Sequence, residues 1–166
     1  MALYWIEGVP AGRLGIASRP RGGDWLEMDV ASLRSSGVNV LVSLLTNAEV
    51  AELVLENEPG FCAANSVEFF SLPIEDRSVP QTREEVRSLV AKVCHGLRAG
   101  KSIAIHCRAG IGRSALVAAS VLVAGGVPVD KAFRLIRQAR GCDVPDTEEQ
   151  RDWVAGAVDA LISIPR

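Results

Sequence analysis

The chain has 166 residues, 48% hydrophobic and 23% charged, with a formal net charge of −2. These values suit one globular domain spanning residues 1–166, with enough apolar residues for a substantial core. They lack the basic excess of a nucleic-acid-binding protein, so no nucleic-acid partner is expected, although a site can be locally positive on a mildly acidic protein.

In chain order, Leu3 to Ile6 and Leu14 to Ala17 read as short strands around a turn-rich Gly-Val-Pro-Ala-Gly-Arg. Asp24 is placed to cap a helix to about Ser36, which Gly37 would end. Val38 to Leu44 reads as a buried strand, and Thr46 or Asn47 as the cap of a helix through Leu55. Val67 to Leu72 reads as a further strand, followed by the loop Pro73-Ile-Glu-Asp-Arg-Ser-Val-Pro80. Thr82 and Glu85 have capping-box spacing before a helix that Gly100 would stop. Ser102 to His106 is a short apolar strand, Cys107 to Arg113 a glycine-bearing loop, and Ser114 begins an apolar helix. A helix from Pro128 to Arg140 follows, and Thr147 with Gln150 opens a last one. Strands separated by helices predict an α/β sandwich, its central sheet mostly parallel and covered on both faces.

Cysteines stand at 62, 94, 107 and 142, with no CxxC pair and no histidine at zinc-finger spacing, so no metal site is expected. The N-terminal segment carries an early Glu7 and no basic stretch before an apolar run, unlike a secretory signal. The longest apolar stretch, after Ser114, falls short of the ~20 residues that span a bilayer, so no membrane partner is expected. A cytoplasmic location with reduced thiols is the expectation.

The chemistry concentrates in Ile103-Ala-Ile-His-Cys-Arg-Ala-Gly-Ile-Gly-Arg-Ser114. Strand, tight loop and helix follow one another, and ligands of open α/β sheets bind beyond the carboxyl ends of the strands. Backbone N–H groups of Arg108, Ala109, Gly110, Ile111 and Gly112 can converge on an anion, with the positive end of the next helix behind them. Gly110 and Gly112 allow turns that a Cβ would hinder. Cationic surroundings at a helix N-terminus bring a thiol pKa to roughly 3.5–7.5, so the field that holds phosphate would keep Cys107 ionised. Arg113 can fold back and offer its planar fork to two phosphate oxygens. Arg108 either attracts an anionic substrate or is simply solvated, and Arg77, Arg137 and Arg140 are candidates for a basic rim.

HCRAGIGRS resembles the signature of the protein tyrosine and dual-specificity phosphatases: His-Cys, five residues, Arg, then Ser or Thr. The loop is longer than that of the rhodaneses, which argues against a sulfurtransferase. The resemblance covers most of the chain, in the order seen in small dual-specificity phosphatases resembling kinase-associated phosphatase. It implies a nucleophile at Cys107, a phosphate clamp at Arg113, and a general acid then base at Asp76 in PIEDRSVP, with Glu75 as competitor. It implies that Ser114 stabilises the departing thiolate, where an N-cap is the plainer reading. It places Gln150 near the hydrolytic water, where a capping box is the plainer reading. His106 is expected to fix the loop by hydrogen bonding. Ala115 departs from the glycine common after the signature Ser.

The implied reaction is metal-independent, cofactor-free hydrolysis of a phosphomonoester through a cysteinyl-phosphate. Its implied substrate is a phosphorylated protein or peptide, mainly at phosphotyrosine with phosphoserine and phosphothreonine next, and a monomer is favoured. Phosphoinositide or RNA 5′-phosphate hydrolysis, or a weakly catalytic phosphate-binding module, are the alternatives. The other cysteines read as buried reduced thiols.

Overall fold

Short β-branched and leucine runs pair into one five-stranded sheet, in the order β1-β2-β5-β3-β4. The computed structural model describes residues 2–9 and 11–164. The strands are β1 (Leu3–Trp5), β2 (Arg13–Ala17), β3 (Val40–Ser43), β4 (Glu68–Ser71) and β5 (Ser102–His106). β2, β5, β3 and β4 run parallel, while β1 is antiparallel to β2, so the sheet is mostly parallel as expected. The turn joining β1 to β2 includes Pro10, which lies outside the described residues.

Alternation along the strands divides the core in two. Leu14, Ile16, Val40, Val42, Ile103 and Ile105 belong to the larger apolar cluster, with side chains from α4 (Arg83–Arg98), α5 (Arg113–Ala124) and α6 (Val129–Arg140). Ala17, Leu41 and Ala104 belong to the other cluster, with α1 (Leu26–Ser35) and α3 (Glu58–Ala64). The sheet is thus covered on both faces.

The α5 helix is apolar nearly all round, and every one of its residues is buried. It packs on β2 and β5 and on α4, α6, α7 (Glu148–Gly156) and α8 (Val158–Ile162). That burial fixes where its N-terminus points: just beyond the carboxyl end of β5, at the glycine-bearing loop.

Caps behave largely as their chemistry dictates. The Thr46 hydroxyl accepts from Glu49 N–H at the start of α2 (Asn47–Glu52), and Thr82 accepts from Glu85 N–H at the start of α4. Gly37, Gly100 and Gly141 take positive φ just past α1, α4 and α6. Three expectations are corrected. Asp24 does not cap α1, because it sits inside a 3-10 turn, Gly23–Trp25, that leads into the helix. α2 ends at Glu52, since Val54 takes φ 54° and turns the chain into α3, a helix that sequence periodicity did not reveal. The last helical pattern is broken at Ala157 into α7 and α8.

Leu116 is fully buried in the larger cluster. Leu116→Ala is expected to lower stability by about 2–5 kcal/mol. Urea unfolding should show a lower midpoint with an unchanged slope.

Candidate active site

The Cys107–Gly112 loop lies where β2, β3 and β5 end. Ala17 and Ser43 flank His106 in the parallel register, and Leu44 N–H donates to the His106 carbonyl. The loop then turns back on itself. Gly110 takes φ +70°, and its N–H donates to Cys107 Sγ at 3.3 Å. A Cβ at Gly110 would stand 3.1 Å from the Ala17 carbonyl, so the approach of loop to β2 requires glycine. The thiol is 2% exposed, at the bottom of the loop.

Arg113 begins α5 and is 1% exposed. Its fork is held from two sides. Nη1 and Nη2 donate to Glu49 Oε2 and Oε1 at 2.7 and 2.9 Å. Nη1 also donates to the Ile74 carbonyl at 2.8 Å, and Nη2 to Asp76 Oδ1 at 2.8 Å. Burial works against the Arg113 charge, but hydrogen bonding to Glu49 and the fields of Cys107, Glu49 and Asp76 outweigh it and raise its pKa. Burial likewise pushes Glu49 upward, but hydrogen bonds from Arg113 and Thr46 prevail and hold its carboxyl below the usual value.

The loop is braced from the opposite side by residues after α5. Arg140 Nε donates to the Gly110 carbonyl at 2.7 Å and Nη2 to the Ala109 carbonyl at 3.3 Å, its guanidinium stacked on Tyr4. Gln150 is fully buried. Its Oε1 accepts from Thr147 N–H at 3.3 Å and its Nε2 donates to the Ser78 carbonyl at 3.0 Å. Gln150 and Asp146 both press on Gly112. A Cβ there would stand 2.8 Å from Gln150 Oε1 and would collide with Asp146 Oδ2. One amide therefore joins the acid-bearing loop, the start of α7 and the glycine turn.

A family model described as "Polymorphic toxin system, DSP-PTPase phosphatase" matches residues 15–127, more than half of the chain. The chain belongs to this DSP-PTPase phosphatase family. The phosphatase is also 31% identical to human protein tyrosine phosphatase type IVA 3 over 98 residues, 57% of this chain and 54% of that one. It thus spans about half the length of the curated relative it matches. Its fold matches a kinase associated phosphatase carrying serine for the catalytic cysteine, with a TM-score of 0.88 at 21% identity over 98% of this chain and 97% of that one. PTPMT1 in complex with PI(5)P matches with a TM-score of 0.74 at 16% identity over 90% and 92% of the two chains. At those identities the structural likeness speaks for the fold.

In this DSP-PTPase phosphatase the structure brings together Cys107, Arg108, Ala109, Gly110, Ile111, Gly112, Arg113, Asp76 and Gln150. Glu75 sits beside Asp76 in the same exposed loop, and it is Asp76 that meets Arg113. Four details differ from expectation. Ser114 is not an N-cap, because Gly112 takes that place, and its buried hydroxyl has no hydrogen-bond partner. The His106 ring does not hydrogen-bond the loop. Nε2 lies 3.1 Å from Glu58 Oε1, and among the described residues neither atom has a hydrogen-bond partner. Arg108 is neither free nor simply solvated, since Glu52 holds it in a two-pronged pair. Of the suggested basic rim, Arg140 reaches the loop, whereas Arg137 pairs with Asp143.

Sequence reasoning missed Glu49, Glu52, Glu58 and Asp146. Glu49 carried a signal: it stands three residues after Thr46, at the end of a buried strand. Glu52 stands three residues further along the same helix, whereas Glu58 and Asp146 had no signal, because His106 and Gly112, which they approach, are distant in the sequence. All four cysteines are free thiols. Burial and the nearby Glu58 push Cys62 up to about 12, and burial raises Cys94, so both are poor nucleophiles. Among the described residues, no helix is long and apolar enough to cross a membrane.

A lowered folded-state pKa means that Glu49 contributes stability above the unfolded value of about 4.3, and that this is lost as pH falls through the lower folded value. Glu49→Gln is expected to lower stability at pH 7 by roughly 1–3 kcal/mol, because Arg113 loses its charged acceptor. Urea titrations at pH 7 and pH 3 should show a smaller difference between variant and parent at the acidic end.

Proposed function

We propose that residues 1–166 act as one catalytic domain that hydrolyses protein phosphomonoesters, phosphotyrosine first and phosphoserine or phosphothreonine next, through a cysteinyl-phosphate. The observation that carries this is the convergence on one loop of the Cys107 thiol, the Gly110 N–H and the buried Arg113 fork, with Asp76 2.8 Å from that fork.

In the first step the Cys107 thiolate attacks phosphorus, a sulfur–phosphorus bond forms and the ester phosphorus–oxygen bond breaks. Arg113 and the amides of Arg108 to Gly112 stabilise the equatorial oxygens. The Asp76 carboxyl gives its proton to the leaving oxygen. In the second step Asp76 takes a proton from water, whose oxygen attacks phosphorus, and the sulfur leaves as thiolate; the buried Ser114 hydroxyl, without a hydrogen-bond partner among the described residues, is the group proposed to stabilise it. Gln150, anchored between Ser78 and Gly112, lines the side from which that water would come. Arg113, the loop amides and α5 supply the positive field, so the steps require neither metal nor cofactor. The monomer suffices, and a reducing cytoplasm would preserve the thiol.

Chromogenic aryl phosphates and phosphopeptides test the scheme. Cys107→Ser should lower kcat by at least about 1,000-fold while still binding phosphate. Comparable turnover by that variant would exclude the cysteinyl-phosphate route. Asp76→Asn should slow substrates with poor leaving groups by ~10²–10⁴-fold and good ones far less. Equal slowing of both would move the acid to another residue. Preferential hydrolysis of a phosphoinositide or an RNA 5′-phosphate over every phosphopeptide would overturn the protein substrate.

A further inference from the structure

The residue after the nucleophile is a second arginine, and the protein has already occupied it. Arg108 Nη1 donates to Glu52 Oε2 at 3.0 Å and Nη2 to Glu52 Oε1 at 2.6 Å, a paired-fork geometry. Both side chains are partly exposed, at 42% and 58%. The contact therefore lies at the mouth of the loop rather than beneath it.

This pair is one end of a chain of alternating charge. Arg108 Nη1 also stands 3.9 Å from Glu49 Oε1, and Glu49 grips Arg113, which meets Asp76. Arg19 adds a weaker pull on Glu52 from the β2 side. The chain thus runs from the exposed Arg108–Glu52 pair at the mouth to the buried Glu49–Arg113 pair, with Asp76 exposed beside it. One incoming phosphoryl group can be met by the loop amides and by the buried Arg113 Nε, which has no partner among the described residues, with Nη2 exchanging its contact to the exposed Asp76. A second phosphate on the same substrate, close to the first, would look for Arg108 and meet a guanidinium whose two prongs already face Glu52. The carboxylates of Glu49, Glu52 and Asp76 would repel it.

We infer that Glu52 is a specificity-determining residue that withholds Arg108 from substrate and restricts the site to isolated phosphoryl groups. This rests on the phosphatase reading above and deepens it by naming the substrate class: a singly phosphorylated segment, without a second phosphate near the reacting one. Glu52 acts through Arg108 and need not touch the reacting atoms. An exposed pair of this kind contributes little to stability, so it can be removed without unfolding the protein.

The experiment compares a phosphotyrosine peptide with the same peptide carrying an additional phosphothreonine two residues before or two residues after it. The ratio of kcat/KM for the two forms is read within each variant, so a general change in activity cancels. The parent should prefer the singly phosphorylated peptide by about fivefold at low ionic strength, as a few ångströms' separation of charge at intermediate dielectric implies, and less in high salt. Glu52→Gln should shift the ratio toward a doubly phosphorylated form by roughly tenfold. Glu52→Gln combined with Arg108→Ala should return it to the parent's value, an outcome that loosened structure would not give. The same ratios, measured as binding affinities by calorimetry in the Cys107→Ser background, give a readout independent of turnover. An unchanged ratio in Glu52→Gln for both placements, or a gain that survives loss of Arg108, overturns the inference while leaving the phosphatase reading intact. Failure of the parent to hydrolyse any phosphomonoester overturns the phosphatase reading, and the calorimetric ratios then decide the role of Glu52 alone.

Discussion

The Arg113 guanidinium is a charge removed from water at the first turn of an apolar helix, with both Nη groups held by protein acceptors and its buried Nε without a hydrogen-bond partner among the described residues. Desolvating a charge is expensive unless it is paired and hydrogen-bonded with good geometry. Glu49 meets that demand with both oxygens, and the Thr46 capping box holds Glu49 in turn. The Ile74 carbonyl supplies a further acceptor, so the segment carrying Asp76 is drawn to the same guanidinium. One buried arginine thereby ties the end of β3, the start of α2, the acid-bearing loop and the start of α5. These contacts fix the position of the guanidinium and leave the buried Nε without a partner among the described residues.

The opposite wall solves a different problem, the shape of a glycine turn with no side chains of its own. Arg140 binds the carbonyls of Ala109 and Gly110, which leaves their peptide planes set and the neighbouring N–H groups free to face inward. Gln150 wedges against Gly112 and ties that turn to Ser78. The acid-bearing loop is consequently anchored at Ile74 and Ser78, while Asp76 and Arg77 between them remain exposed. Arg77 itself takes φ 56°, so this stretch is a sharp turn rather than an extended crossing.

Charge at the loop is paired at two depths: Arg113 is buried against Glu49, whereas Arg108 is paired with Glu52 in a partly exposed contact and Asp76 is exposed beside Arg113. Glu49 and Glu52 of α2 lie three positions apart and therefore share one helical face toward the loop. Burial raises the thiol pKa of Cys62 and Cys94, whereas Cys107 lies in the loop with the Gly110 N–H on its sulfur.

The α/β alternation, the mostly parallel sheet and the identity of the phosphate loop were legible in the sequence, because each depends on local spacing. Buried strands betray themselves as short apolar runs, capping boxes as residues three apart, and the Cys107–Arg113 loop as glycines between a strand and a helix. The short α3 was hidden because seven residues give too little periodicity to register, and the break at Ala157 because both halves continue one apolar pattern. Only the tertiary structure decided what surrounds Arg113 and Arg108. Glu49 and Glu52 precede those arginines by more than fifty residues, and β3 and β5 bring them together by lying side by side in the sheet. A sequence shows which residues can cradle a phosphate; which carboxylates oppose it is a matter of distance in space, set by strand order and helix packing.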